Sequence, residues 1–339
     1  MDSGAILIIA APGDVHALTV ASRLKDRHSI DCFIWDSSRY PAEDNISLSL
    51  GSERRPKYIL VSKAVGRVNL NKLRSIWWRR PQPSRIPEEV SPEHLKAYCR
   101  RESNQLLRGI LQSLDVPIYN NPFVEQLAER KAYQLACAVS AKLSVPATLM
   151  SNAPEEVRRF FDELEGRVIY KPFGSPPVTF FGTQRLRDEA MARLEHLSSA
   201  PAIFQEEVAP HFDIRVTVVG DTIFAAEART DALDWRLESN LIWTKHELPA
   251  CISRKILRLM DIFGLDLGSL DFRLTQGGDY IFFEINPNGQ FLFLEVDDRR
   301  LTLSAAFADY LAAAGAPRWR RHQGNRHAVH EIGRNRVDA

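Results

Sequence analysis

Apolar positions in this chain recur at two spacings, and the switches between them divide it into alternating strands and helices. Ala5 to Ala10 is a continuous apolar strand. Gly13-Asp14 punctuates it, a helical stretch follows from about His16 to Lys25, and Ile30 to Trp35 is a second strand. This opening predicts a small α/β domain on a parallel sheet. Leu48 to Val61 is less regular and predicts short strands. Ile76 to Trp78 reads as a buried strand end, with Arg79 and Arg80 emerging where the strand stops. Leu95, Tyr98, Leu106, Ile110 and Leu114 sit near helical spacing and predict an amphipathic helix over Pro92 to Leu114. After a short strand, Val116 to Tyr119, Asn121 as cap and Pro122 at the first helical position open a helix that carries Lys131 and runs to Leu143.

The second half changes character. Asn152-Ala-Pro-Glu155 looks like a capping box for a helix to about Leu164. Val168 to Lys171 is a strand ending in a lysine, followed by a Pro/Gly loop. Ala202 to Val208 is apolar, then acidic. Phe212 to Val219 alternates, which puts Asp213, Arg215 and Thr217 on one face. Gly220-Asp221 is a hairpin turn, and Thr222 to Ala228 returns. Asp234-Trp235-Arg236 lies in a loop, and Leu248 to Phe263 is an amphipathic helix. Leu267 to Leu274 and Tyr280 to Ile285 are two strands joined by Gln276-Gly277-Gly278-Asp279, which is hairpin chemistry. Leu301 to Ala314 is the last helix. Residues 318–339 are rich in Arg, His, Asn and Gly and read as a mobile tail, with His322, His327 and His330 solvated.

Composition narrows the classes. With 44 basic and 43 acidic residues in 339, the net charge of +1 gives no basis for bulk nucleic-acid or membrane binding. The N-terminus lacks a basic n-region and reads as a strand rather than a signal peptide. No apolar run approaches the roughly 18 residues of a membrane span. The cysteines Cys32, Cys99, Cys137 and Cys251 form no CxxC pair and read as reduced thiols of a cytoplasmic protein. The nine histidines show no zinc spacing, and the first strand is not followed by GxGxxG.

Several positions carry chemistry. Asp271, Glu284 and Asn286 converge across the last hairpin, where strands disfavour acidic residues. They read either as ligands for a hard cation such as Mg²⁺ or as the water-facing side of a sheet. Arg79 and Arg80 would suit a carboxylate or phosphate beyond a strand end, or are solvated there. Lys171 either meets a phosphate or lies exposed before a turn. Asp213 and Arg215 either belong to a site or form an ordinary ion pair on a sheet.

Read in order, these runs resemble the ATP-grasp superfamily: Lys131, YKP with Lys171, QEEV (Gln205 to Val208), DIRVTVVG (Asp213 to Gly220), DWR (Asp234 to Arg236), LDF with Asp271, and FFEINPNGQ (Phe282 to Gln290). The resemblance covers about Asn121 to Ala314. It implies an α/β (α+β) ATP-grasp fold behind an N-terminal α/β pre-ATP-grasp domain. The expected limits are 1–120 for that domain, 121–200 for a central lid, 201–315 for a C-terminal subdomain and 316–339 for a basic tail. It also implies that Lys131 and Lys171 contact ATP phosphates. Gln205, Glu206, Glu207 and Val208 form a hinge whose backbone pairs with adenine, Glu206 or Glu207 reaching the exocyclic amine or ribose. Asp271, Glu284 and Asn286 hold Mg²⁺, and Arg215 and Arg236 hold the transferring phosphoryl group or the acyl phosphate. The glycine-rich loop common after the strand lysine departs from the pattern, being PFGSPPVTFFG here.

A narrower resemblance includes the first domain. IWWRRP, NPFVEQLAERKAYQLACA, FDIRVTVVGDTIFAAEA, DWR and EINPNGQ look like the graspetide synthetases, ATP-grasp maturases of ribosomal peptides of the microviridin and Streptomyces types. This implies an ADP-forming ligase that activates Asp or Glu side chains of a precursor peptide, leader plus core, and joins them to Ser, Thr or Lys side chains. Within it Arg79 and Arg80 become substrate-binding residues near the acceptor, which would approach by Asn288. Asp213 and Asp234 are the candidate bases, and a homodimer is common in that family. Two other readings stay open: a ligase that adds a free amino acid to a small acid or protein, and a non-catalytic ATP-binding module.

Overall fold

The computed structural model describes residues 4–51, 54–174, 182–209, 211–238 and 240–323. The strand Ile6–Ala10 runs parallel between Cys32–Trp35 and Ser75–Arg80, and Ile118–Tyr119 extends the sheet beyond Ser75–Arg80. Ile6, Ile8, Ala10 and Trp77 face a core shared with the helix Val15–His28. Leu7, Ile9, Ile76 and Trp78 face another, shared with the helix Glu93–Ser113 and an antiparallel meander of Asn45–Gly51, Arg54–Ser62 and Gly66–Asn69. A sheet covered on both faces needs strands apolar throughout, which is why the opening run shows no alternation.

Two antiparallel sheets follow. The smaller has the order Gln184–Arg185, Val168–Lys171, Ala202–Glu206, Thr148–Ser151. The larger has the order Thr244–Lys245, Thr222–Arg229, Phe212–Val219, Leu267–Leu274, Tyr280–Asn286. The chain crosses between them after Glu206. The helix Leu303–Ala313 then returns to the N-terminal sheet. Its Leu303, Phe307 and Leu311 join the core of Ile6, Ile8 and Trp77, which also takes in Val219 and Leu267 of the larger sheet. Phe307 stacks on Phe291 at 4.2 Å between ring centroids and lies 5.4 Å from Trp77. Each side chain so buried contributes roughly 1.5–3 kcal/mol relative to exposure. One continuous core therefore joins the N-terminal domain to the larger sheet.

Three local expectations fail for physical reasons. The helix expected over Pro122 to Leu143 is two, Pro122–Ala128 and Lys131–Ser140. Buried Gln134 donates from Nε2 to the carbonyls of Ala128 and, at 2.9 Å, Ile285, and its Oε1 accepts from Ile285 N–H at 3.3 Å. The break thus docks the second helix on the Tyr280–Asn286 strand. Asn152 is not a cap. The helix Pro154–Glu163 starts on its proline, where no N–H is needed, and Ser151 Oγ accepts from Ala153 N–H at 2.9 Å. Residues 318–320 are not tail. The buried Arg318 guanidinium meets Asp221 and Asp261 and donates to the Gly220 carbonyl at 2.7 Å, while its main-chain N–H donates to Asp266 Oδ1 at 3.0 Å. His327, His330 and residues 175–181 lie outside the described residues, as does the side chain of His322.

Candidate active site

The pleat of the larger sheet separates its two faces. Ile214, Val216 and Val218 go into the core, while Asp213, Arg215 and Thr217 take the other face. Register carries that face across the sheet: Arg215 lies opposite Asp271, and Asp271 opposite Glu284. Asn286 follows Glu284 and lies opposite Ser269. Regular alternation does not produce this row. Phe282 is buried against Phe272, ring centroids 5.4 Å apart, and a residue two further along a regular strand would share its face. The register shifts between Asp271 and Phe272, leaving Phe283 as an extra residue. That β-bulge turns Glu284 out of the core to face Asp271.

Cations close around the two carboxylates. Lys131 Nζ donates to Glu284 Oε2 at 2.7 Å. Arg215 Nη1 donates to both Asp271 oxygens, at 2.8 and 3.0 Å, and its Nη2 to the Gln290 carbonyl at 3.0 Å. Arg236 forks onto Asp234 at 2.8 and 2.7 Å, with its Nη1 3.6 Å from Glu284 Oε1. Lys171, ending its strand in the smaller sheet, lines the same pocket with Gln205, Asp234 and Phe283. Burial lowers the Lys171 pKa and the positive charges of Lys131 and Arg236 add to that, against Glu284. Burial would raise the pKa of Glu284, but Lys131, Lys171 and Arg236 together hold it well below the usual carboxylate range. Lys131, Lys171, Arg215 and Arg236 around Asp271 and Glu284 are donors of the kind that grip phosphate oxygens. Asp271 and Glu284 present paired hard oxygens, and Asn286 Oδ1, which accepts from Asn288 N–H at 3.1 Å, lies next on that face. Two carboxylates and an amide oxygen are the hard donors that Mg²⁺ would take.

Both candidate bases are held by arginines. Asp213, buried, accepts from Arg273 Nε and Nη2 at 2.9 and 3.1 Å. Arg273 was not singled out in the sequence, yet it also donates to the carbonyls of Val208 at 3.0 Å and Ala232 at 3.1 Å. The signal was present. DIR at 213–215 and DFR at 271–273 run antiparallel, so each aspartate meets the other's arginine. Burial pushes the Asp213 carboxyl up to about 6, against Arg273. Burial opposes ionisation of Asp234 too, but Arg236 keeps its pKa lowered.

The hinge side is partly engaged within the chain. Gln205 is buried, donates to Thr148 Oγ1 at 2.9 Å, and keeps an unpartnered Oε1. Glu207 is gripped by Arg185 at 2.7–3.1 Å, and Glu206 lies 3.7 Å from Arg167. Glu206 and Glu207 N–H donate to the carbonyls of Ala147 and Arg167, each at 2.9 Å. The free adenine-facing edge expected of these residues is therefore narrower than a four-residue strand.

Arg79 departs most from expectation. Its side chain is 1% exposed. Nη1 donates to the carbonyls of Asn288 at 2.6 Å and Gly289 at 3.2 Å, and Arg80 Nη2 donates to Asn288 at 3.1 Å. Both expected substrate contacts thus hold the loop after the larger sheet, and only Arg80 keeps partial access to solvent.

Residues 5–125 match the family described as the MvdD pre-ATP grasp domain. No curated protein matches the chain. The macrocyclase MdnC bound with precursor peptide MdnA, from Microcystis aeruginosa MRC, is similar at 28% identity and a TM-score of 0.81, over 91% of this chain and 99% of that one. A Chryseobacterium gregarium RiPP-associated ATP-grasp ligase in complex with ADP and a leader and core peptide is similar at 26% identity and a TM-score of 0.84, over 94% and 98%. The ATP-grasp ligase PsnB complexed with minimal precursor, Mg and ADP is similar at 25% identity and a TM-score of 0.72, over 91% and 96%.

Proposed function

We propose that this chain, an ATP-grasp ligase of the graspetide type, activates Asp or Glu side chains of a ribosomal precursor peptide and joins them to Ser or Thr hydroxyls or Lys amines. The observation that carries the reading is the row of Arg215, Asp271 and Glu284 across three strands, closed by Lys131, Arg236 and Lys171. A substrate carboxylate attacks the γ-phosphate of ATP, giving an acyl phosphate and ADP. A hydroxyl or amine then attacks the acyl carbon, and phosphate leaves. Positioning and charge compensation do most of such work. In this reading Lys131 and Lys171 hold phosphates, and Arg215 and Arg236 hold the transferred group. Gln205 to Val208 hold the adenine, the unpartnered Gln205 Oε1 being suited to an amine donor. Asp271, Glu284 and Asn286 would hold Mg²⁺, which when bound supplies further charge compensation at the phosphates. Asp213 and Asp234 are the candidates for the acceptor's base, and Asn288 borders its approach. The pH–rate profiles of Asp213→Asn and Asp234→Asn, at intact nucleotide affinity, separate the two; unchanged profiles in both remove them.

The test is incubation with ATP, Mg²⁺ and the peptide encoded by the neighbouring short reading frame. The expected products are ADP and a peptide lighter by one water per cross-link. A peptide heavier by one amino acid would instead support the amino-acid-adding ligase. Nucleotide binding without ADP release on any acceptor would support a binding module. A cytoplasmic setting belongs to the same reading: the reaction consumes ATP, the four cysteines are free thiols, and no helix among the described residues is long and apolar enough to cross a membrane.

A further inference from the structure

Residues 288–292 are gripped from the N-terminal domain by groups of opposite polarity. Arg79 and Arg80 take carbonyls, as described. His16, in the first turn of Val15–His28, takes amides: its Nε2 accepts from Phe291 N–H at 3.1 Å and from Leu292 N–H at 3.4 Å. Nδ1 then carries the proton and lies 3.9 Å from Asp14 Oδ1, while Asp14 Oδ2 lies 3.6 Å from Arg79 Nε. Burial, then the charge of Arg79, lowers the His16 pKa to about 4, so the ring stays an acceptor at neutral pH.

The inner side of the same loop rests on the catalytic floor. A Cβ at Gly289 would lie 2.4 Å from Ser269 Cβ and 2.7 Å from Arg215 Nη2. Only glycine lets the main chain approach that closely. The next carbonyl, Gln290, accepts from Arg215 Nη2 at 3.0 Å. The backbone held by Arg79 and His16 is thus the backbone against which the Arg215 guanidinium is seated.

We propose that Arg79 and His16 are positioning residues of the ligase reaction: from the N-terminal domain they fix the loop at 288–291, and through it the orientation of Arg215. The N-terminal domain then contributes to chemistry without touching the reacting atoms. This rests on the ligase reading above. Small displacements of a charge stabiliser are costly because its geometry sets its effect.

The decisive measurement is a double-mutant cycle of Arg79→Lys and Arg215→Lys, read as kcat for the neighbouring-frame peptide and as calorimetric affinity for Mg·ADP. Arg79→Lys should lower kcat on the order of tenfold or more, leave Mg·ADP affinity unchanged, and add nothing in the Arg215→Lys background. Losses that multiply would overturn the inference. His16→Gln keeps an acceptor and should retain kcat, whereas His16→Ala should lose it. A merely structural role would lower the folded fraction while kcat per folded enzyme stayed normal in Arg79→Lys and His16→Ala, and that outcome also overturns it. If Arg79→Lys does not fold, Gly289→Ala probes the same contact from the loop: kcat should fall at unchanged Mg·ADP affinity, and a normal kcat sinks the inference. A wild-type protein that makes no cross-link and releases no ADP removes the ligase reading itself. An active wild type with multiplying losses removes only the positioning role.

Discussion

Arg215→Ala separates two consequences of one side chain. The side chain is 6% exposed, so no bulk water replaces it, and its loss strips Asp271 of its counter-ion and the Gln290 carbonyl of a donor. Removing one partner of a buried pair costs about 3–5 kcal/mol. Asp271 is 13% exposed, which puts the expected loss near the lower end, about 3 kcal/mol. Mg²⁺ with ADP should restore part of that loss, because in the proposed site the metal would neighbour the same carboxylate. Turnover should fall separately, by about 3 kcal/mol of transition-state stabilisation, or on the order of 10² in kcat. Arg215→Lys keeps the charge but not a fork that spans Asp271 and Gln290, so it should fall between. Denaturant titration with and without Mg·ADP reads the first effect, and ADP release with peptide mass reads the second. Near-normal kcat in folded Arg215→Ala would refute the catalytic assignment. A stability loss that Mg·ADP does not touch would refute the sharing of Asp271 between arginine and metal.

Glu284→Gln should keep the fold, weaken Mg·ADP binding in calorimetry and abolish turnover; ordinary activity at ordinary Mg²⁺ would refute the metal assignment. Glu125 is buried, and burial, then Glu129, pushes its carboxyl up to about 8 from 4.5. The folded state therefore binds the extra proton between those values, so this group's contribution is fully present below about 4.5 and is lost as pH rises through about 8. Glu125→Gln should gain stability relative to wild type on the order of 1 kcal/mol per pH unit across that window, and a pH-independent difference in denaturation midpoints would be the contrary result. Arg318→Met should cost about 2 kcal/mol by leaving the buried Gly220 carbonyl without its donor, whereas a free tail would show no change in denaturant midpoint.

The strands Phe212–Val219 and Leu267–Leu274 are readable to the residue because one face must be apolar and the other must not. Asp213, Arg215, Asp271 and Glu284 stand out in the sequence for a related reason, being charged residues inside strands that need partners, whereas Lys131 on its helix and Asp234 and Arg236 in their turn stand out only through the resemblance. Partner choice was less legible, because it depends on register. Once DIR and DFR are set antiparallel, the two arginines cannot have the same role. Arg215 meets Asp271 beside Glu284, where phosphoryl groups would come, while Arg273 braces Asp213 against the carbonyls of Val208 and Ala232. The bulge at Phe283 was invisible for a related reason. FFEIN reads as regular alternation, and only the pairing of Phe282 with Phe272 and of Glu284 with Asp271 reveals the extra residue. Arg79 is the clearest case. A strand end carrying two arginines predicts cations, and it does not predict whether they face a ligand or another part of the chain. That was decided by Gly289 and Gln290, which bring the loop's carbonyls to Arg79 on one side and its backbone onto Arg215 on the other. The loop at the end of NPNGQ therefore touches the N-terminal domain through Arg79 and the row of Arg215 and Asp271 through Gln290, and under the proposed coupling substitutions at either end should be felt at the other.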